Sequence, residues 1–344
     1  MEAVFGRFEA DNLPYLVLRN YETLPESTTN DVDLLLSPDD ELKAYHSLVC
    51  AAEEAGWEVC NVGEFSCRSV FLYNPETLEQ THIDLMCGIK WYSFLFADHA
   101  QMLRDRKRCK SFYIPAQKDE AAVNLLTRLL YCGYVKEKYR PMISACAKES
   151  HDAFAKVLEP WIGSVLAELF VKYSCEENWT KIEKMTADAR KHVLIANLKK
   201  PGGVLFRMFA DVRRLIRRIC IPPGFSIAFI GDDAIGMQRH IKDFLKLASG
   251  TFKKEKVQMN AGNRTILSKF KSMKTLFRNG LVIQEQTRDE NRLSRNEYDL
   301  IISFQTSCEL NARNVIVADA SFTPQKTLLT MFERMSERRM ARYG

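Results

Sequence analysis

No apolar run in this sequence approaches the roughly 20 residues that crossing a bilayer requires, and Met1 to Asn12 holds no apolar secretory core. The expectation is a cytoplasmic protein with no transmembrane segment. The ten cysteines are scattered from Cys50 to Cys308 with no two at C-x-x-C spacing, and the six histidines are equally dispersed. That pattern argues against a zinc site or a disulfide framework and for buried, reduced thiols. Glycine (15) and proline (11) are sparse in 344 residues, which argues against long disordered linkers. Excess charge is also scarce. A net charge of +5 permits an anionic substrate or surface but lacks the dense basic field of bulk nucleic-acid binding.

What is present is ordinary for a globular chain: 46% hydrophobic and 27% charged residues. The length suits about two domains. The pattern predicts an α/β fold in three regions: a mixed-sheet domain over 1–135, a helical connector over 136–220 and a parallel α/β domain over 221–344. In the first region, strands are expected at Trp57 to Val62, Cys67 to Tyr73 and Thr81 to Met86, with one more near Cys109 to Ile114. Ser37-Pro38-Asp39-Asp40 reads as the start of a helix ending near Gly56, with a capping serine, a proline at the first position and acids in the first turn. Another helix is expected from about Lys118 to Cys132.

The connector reads as almost entirely helical, broken at Pro201-Gly202-Gly203. Beyond the break, Phe209, Val212, Ile216 and Ile219 recur at helical spacing, and Arg213, Arg214, Arg217 and Arg218 fill the other face. The plainer reading of that basic stripe is a solvated face. Contact with an anionic membrane surface or a polyanionic substrate is the alternative. In the third region, strands are expected at Ser226 to Ile230, Leu281 to Ile283, Leu300 to Phe304 and Val315 to Ala318. Helices are expected after a Gly231–Gly236 turn and over Pro324 to Arg342.

Two stretches carry chemistry. The first is Asn30-Asp31-Val32-Asp33-Leu34-Leu35-Leu36. On a strand, Asp31 and Asp33 share a face while Val32 points away. Paired carboxylates are what a hard cation such as magnesium requires. A D-x-D is by itself a chance-level motif in a chain of this length. A third strand aspartate, Asp84, in His82-Ile83-Asp84-Leu85 sharpens it, because three neighbouring carboxylates repel unless a cation sits among them. The competing account is that Asp31 and Asp33 finish a loop and cap a strand.

This stretch resembles the nucleotidyltransferase fold shared by DNA polymerase beta and the small stand-alone nucleotidyltransferases. In that superfamily a glycine pair precedes an Asp-x-Asp/Glu strand, and a third acid lies on a later strand. More narrowly, YLVLRNYETLP, NDVDLLL, HIDLMCGIKWYS and KEKYR are similar to nucleotidyltransferase-like proteins linked to surface-polysaccharide gene clusters, over residues 14–140. The resemblance implies that Asp31, Asp33 and Asp84 are catalytic and hold two magnesium ions, with an NTP as substrate. It implies transfer of a nucleotidyl group to a small-molecule or glycan-linked acceptor. Arg19-Asn20 stands in place of the glycine pair, so an arginine would supply the phosphate contacts. Lys136, Lys138 and Arg140 are further candidates for the phosphates; a solvated basic turn is the plainer reading of each.

The second stretch, FSIAFIGDDAIGMQRHI, has the strand, glycine turn and helix of a phosphate loop. Over residues 222–340 it resembles the thymidylate-kinase-like family, whose loop reads Gly-x-Asp-Gly-x-Gly-Lys-Ser/Thr. Gly231, Asp233 and Gly236 match. Ala234, Met237 and Gln238 replace the second glycine, the lysine and the hydroxyl residue, and Gln284-Glu285-Gln286 stands where an Asp-Arg-aromatic motif is expected. With the phosphate-binding charge and the metal ligand both lost, this region reads as a degenerate kinase-like domain kept for shape, dimerisation or substrate positioning. Two other functions stay open: a non-catalytic scaffold that binds a partner or nucleotide, and a small-molecule kinase.

Overall fold

The computed structural model describes residues 1–28, 31–220, 222–231, 233–248, 251–252, 254–258, 266–286, 298–304, 315–318 and 322–343. The protein is α/β, with a mixed five-stranded sheet, a parallel five-stranded sheet and numerous helices. It divides into two compact units, neither continuous in sequence. The first comprises Met1–Ala51, Ser66–Arg68 and Ile83–Arg213; the second comprises Ala52–Phe65, Ser69–His82 and Arg214–Gly344.

Helix α1 (Glu2–Ala10) buries Val4, Phe5 and Phe8. It is not among the expected elements, since so few apolar side chains leave only a faint period. Strands β1 (Tyr15–Val17) and β2 (Val32–Leu36) pair antiparallel, with Leu16 opposite Leu35. A single 3-10 turn at Pro38–Asp40 leads into α2 (Glu41–Glu54), so the expected Ser37 start is a tighter turn before the helix proper. Strands β3 (Glu58–Glu64), β4 (Arg68–Tyr73) and β5 (Gln80–Met86) complete a sheet of order β1-β2-β5-β4-β3. β2 and β5 run parallel, which places Val32 opposite Ile83 and Asp33 opposite Asp84.

A small hairpin of β6 (Lys90–Trp91) and β7 (Phe94–Leu95) precedes α3 (His99–Arg104), capped by the Asp98 carboxylate accepting from the Gln101 amide. The single strand expected at Cys109 to Ile114 is instead a hairpin of β8 (Lys107–Cys109) and β9 (Phe112–Ile114). Lys110 turns it in the left-handed region at φ 51°. Helix α4 (Gln117–Cys132) ends on Gly133 at φ 81°, the conformation glycine adopts without steric cost. Then follow α5 (Arg140–Glu149), α6 (His151–Ile162), α7 (Ser164–Cys175), α8 (Trp179–Lys184), α9 (Thr186–Leu198) and α10 (Pro201–Cys220). The expected break falls just before Pro201, which starts α10 because a proline at the first helical position loses no hydrogen bond.

One apolar core of the first unit runs from Leu16 and Leu35 through Leu126 and Phe154 to Phe170 and Val193. At its margin Asp119 is 3% exposed, with Oδ2 lacking a hydrogen-bond partner. Burial pushes its carboxyl up to about 6. A raised carboxyl favours folding below its unfolded value and costs stability as the pH rises through the folded one. Asp119→Asn is therefore expected to stabilise the protein at pH 8 and to have little effect at pH 4. The gain is on the order of 1 kcal/mol after solvent screening. Urea titrations at the two pH values read the difference, and equal shifts at both would refute the burial account.

The second unit is built on β10 (Phe225–Ile230), α11 (Ala234–Ala248), β11 (Lys254–Gln258), α12 (Ile266–Phe277), β12 (Gly280–Gln286), β13 (Leu300–Ser303), β14 (Val315–Val317) and α13 (Pro324–Tyr343). Its sheet has order β11-β12-β10-β13-β14 and is parallel throughout. Cys60, Phe71 and Tyr73 join Phe225, Phe229, Phe244 and Phe332 in its core.

Candidate functional site

The aspartate cluster lies in the first unit. Every residue of β2 is buried, Asp33 included at 5% exposure. Asp33 shares its sheet face with Leu35 and stands opposite Asp84 on the neighbouring strand. Asp84 is half-buried, and Asp31, one residue before the strand, is exposed. Burial raises the Asp33 carboxyl above the usual carboxylate range against the pull of Arg19, and the charges of Asp84 and Asp31 add to the rise. The three acids are thus electrostatically coupled, as the sequence spacing predicts.

The cation at Asp33 belongs to the chain itself. Arg19 Nε donates to Asp33 Oδ2 at 2.6 Å. Burial would lower the arginine, but the charge and hydrogen bond of Asp33, with Tyr139 and Asp84 behind them, raise it. Asn20 adopts φ 58°, the left-handed conformation that the missing glycine would take freely and that asparagine tolerates better than most residues. Its Oδ1 accepts from Lys138 Nζ at 2.7 Å, which ties the basic turn to the Arg19-Asn20 segment.

Lys138 Nζ also sits 4.5 Å from the centre of the Tyr139 ring, and Lys136 Nζ 5.9 Å. Burial lowers the Lys136 ammonium, and the charges of Lys138, Arg128 and Arg19 lower it further. These cations therefore form one positive field. Arg140 is committed elsewhere: it donates to Glu183 Oε1 at 3.0 Å and to the Val135 carbonyl at 3.2 Å. Sequence reasoning passed over Tyr139, the last-but-one residue of KEKYR, whose ring lies beside both lysines and which also bears on the Arg19 charge. It also passed over the Tyr21 hydroxyl bond to Glu120 Oε2, at 2.8 Å, which spans 99 residues and has no local signature.

Among the described residues, no three His, Cys, Asp or Glu side chains are grouped so as to hold a metal ion. The donor type still suits a hard cation, since carboxylate oxygens are what magnesium takes. At Asp33, a metal would have to displace the Arg19 guanidinium.

The second constellation lies in the second unit. β10 is bonded to β12 on one side and β13 on the other. The chain thus leaves it in opposite directions, and ligand crevices form beyond the carboxyl end of such a strand. The Gly231 loop stands there. It is shorter than expected: α11 already begins at Ala234, so Gly236 lies in the first helical turn rather than in the loop. Asp233 Oδ1 accepts from the Gly236 amide at 3.0 Å, so the carboxylate takes an amide that a phosphate would otherwise use. A Cβ on Gly236 would collide with that carboxylate. Met237, in the place of the lysine, is 3% exposed and belongs to the apolar core. Gln284 is buried and accepts from the Tyr298 hydroxyl. Asp232 lies outside the described residues.

Neither a family model, nor a curated protein, nor a solved structure matches the chain.

Proposed function

We propose that the protein is a metal-dependent nucleotidyltransferase moving a nucleotidyl group from an NTP to a hydroxyl or phosphate of a small-molecule or glycan-linked acceptor. The observation that carries this is the pairing of Asp33 with Asp84 on adjacent parallel strands, beside the field of Arg19, Lys136 and Lys138. On this reading the first unit contains a nucleotidyltransferase-like domain and the second a degenerate phosphate-loop domain. Surface-polysaccharide synthesis is the setting that the family resemblance implies.

Asp31, Asp33 and Asp84 would hold the magnesium ions, which supply charge neutralisation on the triphosphate and on the leaving pyrophosphate. Arg19 releases Asp33 and forms bidentate hydrogen bonds to phosphate oxygens. Lys138, held by Asn20, adds charge to the same region. The acceptor oxygen attacks the α-phosphorus in line as the bond to pyrophosphate breaks, and Asp84 takes the acceptor proton. Arg140 acts as a strut through Glu183.

The test is pyrophosphate release from each NTP with magnesium, in wild type and in Asp33→Asn. Wild type is expected to turn over, and the variant to fall by about two orders of magnitude through loss of charge at the metal. Absence of release in both would support the second reading, a scaffold: one that binds nucleotide if metal-dependent NTP binding persists, and one that binds a partner if it does not. That reading draws on the Arg19–Asp33 ion pair and on the Asp233 cap, since each fills a ligand position with the chain's own side chain. A kinase would instead transfer a γ-phosphate in Asp33→Asn and lose that transfer when the Gly231 loop is altered.

A further inference from the structure

Helix α10 is inside out. Its only buried residue is Val204. Leu205, Phe206, Phe209, Val212, Ile216 and Ile219 are between 50% and 74% exposed. Apart from Phe206 at its edge, their spacing of three and four lines them into one stripe along a helix about 30 Å long. The side turned away from the stripe is the one fastened to the protein. In the first unit, Arg207 Nε donates to the Ser93 carbonyl at 2.8 Å, and Asp211 accepts from the Ser93 hydroxyl at 2.7 Å. In the second unit, the Arg218 guanidinium lies 4.0 Å from the centre of the Phe277 ring. Polar anchoring on one face holds the apolar face outward, the reverse of an ordinary surface helix. The basic stripe read from the sequence as solvated is thus partly an anchor.

We propose that α10 seats the protein on an anionic lipid surface, lying in the interface with Phe206 and Phe209 among the acyl chains. Three observations converge. The helix combines a wide apolar face with a strongly basic remainder, the composition of interfacial rather than spanning helices. Among the described residues, no helix is long and apolar enough to cross a membrane. The helix's own charge is one-sided as well: five arginines and the single acid Asp211, which is bonded to Ser93, with Arg217 also paired to Glu64 Oε1 at 3.1 Å. Arg213, which is exposed, lies about 100° round the axis from Val212, where it borders the stripe at head-group depth.

A second copy of the chain fits this face less well. Two such helices packed about 8–10 Å apart through their stripes would set an Arg213 from each copy at the border, with only the two Asp211 carboxylates of the helices to offset them, and each of those is already bonded to Ser93. Anionic head groups supply the missing negative charge, and each arginine near such a surface strengthens binding roughly fivefold.

The experiment is flotation of the full-length protein with phosphatidylcholine vesicles, with and without phosphatidylglycerol. Binding is expected to the phosphatidylglycerol vesicles only and to weaken as salt is added. Phe206→Glu/Phe209→Glu should bind at least tenfold more weakly. Arg213→Gln should weaken binding roughly fivefold, and Arg213→Glu, a change of two charge units, roughly 25-fold. All three positions are exposed, so circular dichroism should stay unchanged. Equal binding to both vesicle types, or no effect of the phenylalanine changes, would overturn the proposal. So would a dimer that fails to float and becomes monomeric when the two phenylalanines are replaced, an outcome that assigns the stripe to a second copy.

Discussion

Arg19→Ala should destabilise the protein at neutral pH by about 3 kcal/mol, the low end for stripping one partner from a buried ion pair. Arg19 is itself 28% exposed, so water can partly take its place, whereas Asp33 is only 7% exposed at its side chain. The loss arises less from the vanished bond than from the carboxylate left behind. Asp33 already has a raised carboxyl because burial outweighs Arg19, and Asp84 and Asp31 push in the same direction. Without the guanidinium the carboxyl rises further.

The pH dependence follows from that direction. A carboxyl whose folded value lies above its unfolded value contributes stability below the unfolded value, and that contribution is lost as the pH rises through the folded one. The difference between wild type and Arg19→Ala should therefore be full at pH 7. It should shrink as the pH falls toward 4, near the unfolded carboxyl value, because a raised folded value favours the protonated carboxyl there in both. Urea titrations at the two pH values measure it. Arg19→Ala/Asp33→Asn should recover most of the loss at pH 7, because no buried charge remains to be unpaired. A constant deficit across that range, unrelieved by the second substitution, would assign Arg19 a packing role instead.

The same pair shows how far sequence reasoning reaches. That Asp31 and Asp33 lie at a strand edge beside a third acid was legible, because period-2 alternation and apolar runs mark β2 and β5. That β5 lies next to β2, with β3 and β4 between them in sequence, follows from sheet topology rather than from local pattern. The ion pair to Arg19 depends on that topology and on how the segment after β1 passes the strand. Asn20 in the left-handed region was hidden for another reason: the absent glycine pair was visible, but not that asparagine would adopt the same backbone.

In the second unit β10, β12, β13, β14 and α11 were legible from their apolar runs, whereas β11, with one apolar residue in Lys254–Gln258, was not. The extent of the helix was not, because Asp233 could be loop or cap until the Gly236 amide found it. Contacts such as the Asn61 amide donating to the Pro223 carbonyl at 2.8 Å join segments 162 residues apart and leave no mark on either. α10 was legible as amphipathic, but which of its faces meets solvent is a tertiary fact.

Gly224→Ala should be the most damaging of the small changes considered, costing at least about 3 kcal/mol by overpacking. The glycine precedes β10, and its amide donates to the Leu276 carbonyl at 2.9 Å. A Cβ there would overlap the Gly280 carbonyl and lie 2.6 Å from both Cα and O of Leu276. These are backbone atoms, which cannot turn aside as a side chain can. They also frame the first rung of the central strand pair, where Phe225 lies opposite Leu281. To admit one methyl group, the junction of α12 and β12 must move away from β10 and open the apolar core under Phe225 and Phe229.

Gly6→Ala is the matched control. A Cβ at Gly6 meets nothing within 4 Å, and the residue lies inside α1. There the same substitution should be neutral or stabilise by about 0.5–1 kcal/mol through helix propensity. Hydrogen exchange followed by mass spectrometry separates the two cases. Gly224→Ala should lose protection across Phe225 to Ile230 and keep it across Phe154 to Val171 in the core of the first unit. Gly6→Ala should leave both unchanged. If the two variants behaved alike, the close approach at Gly224 could not be what fixes β10 against β12.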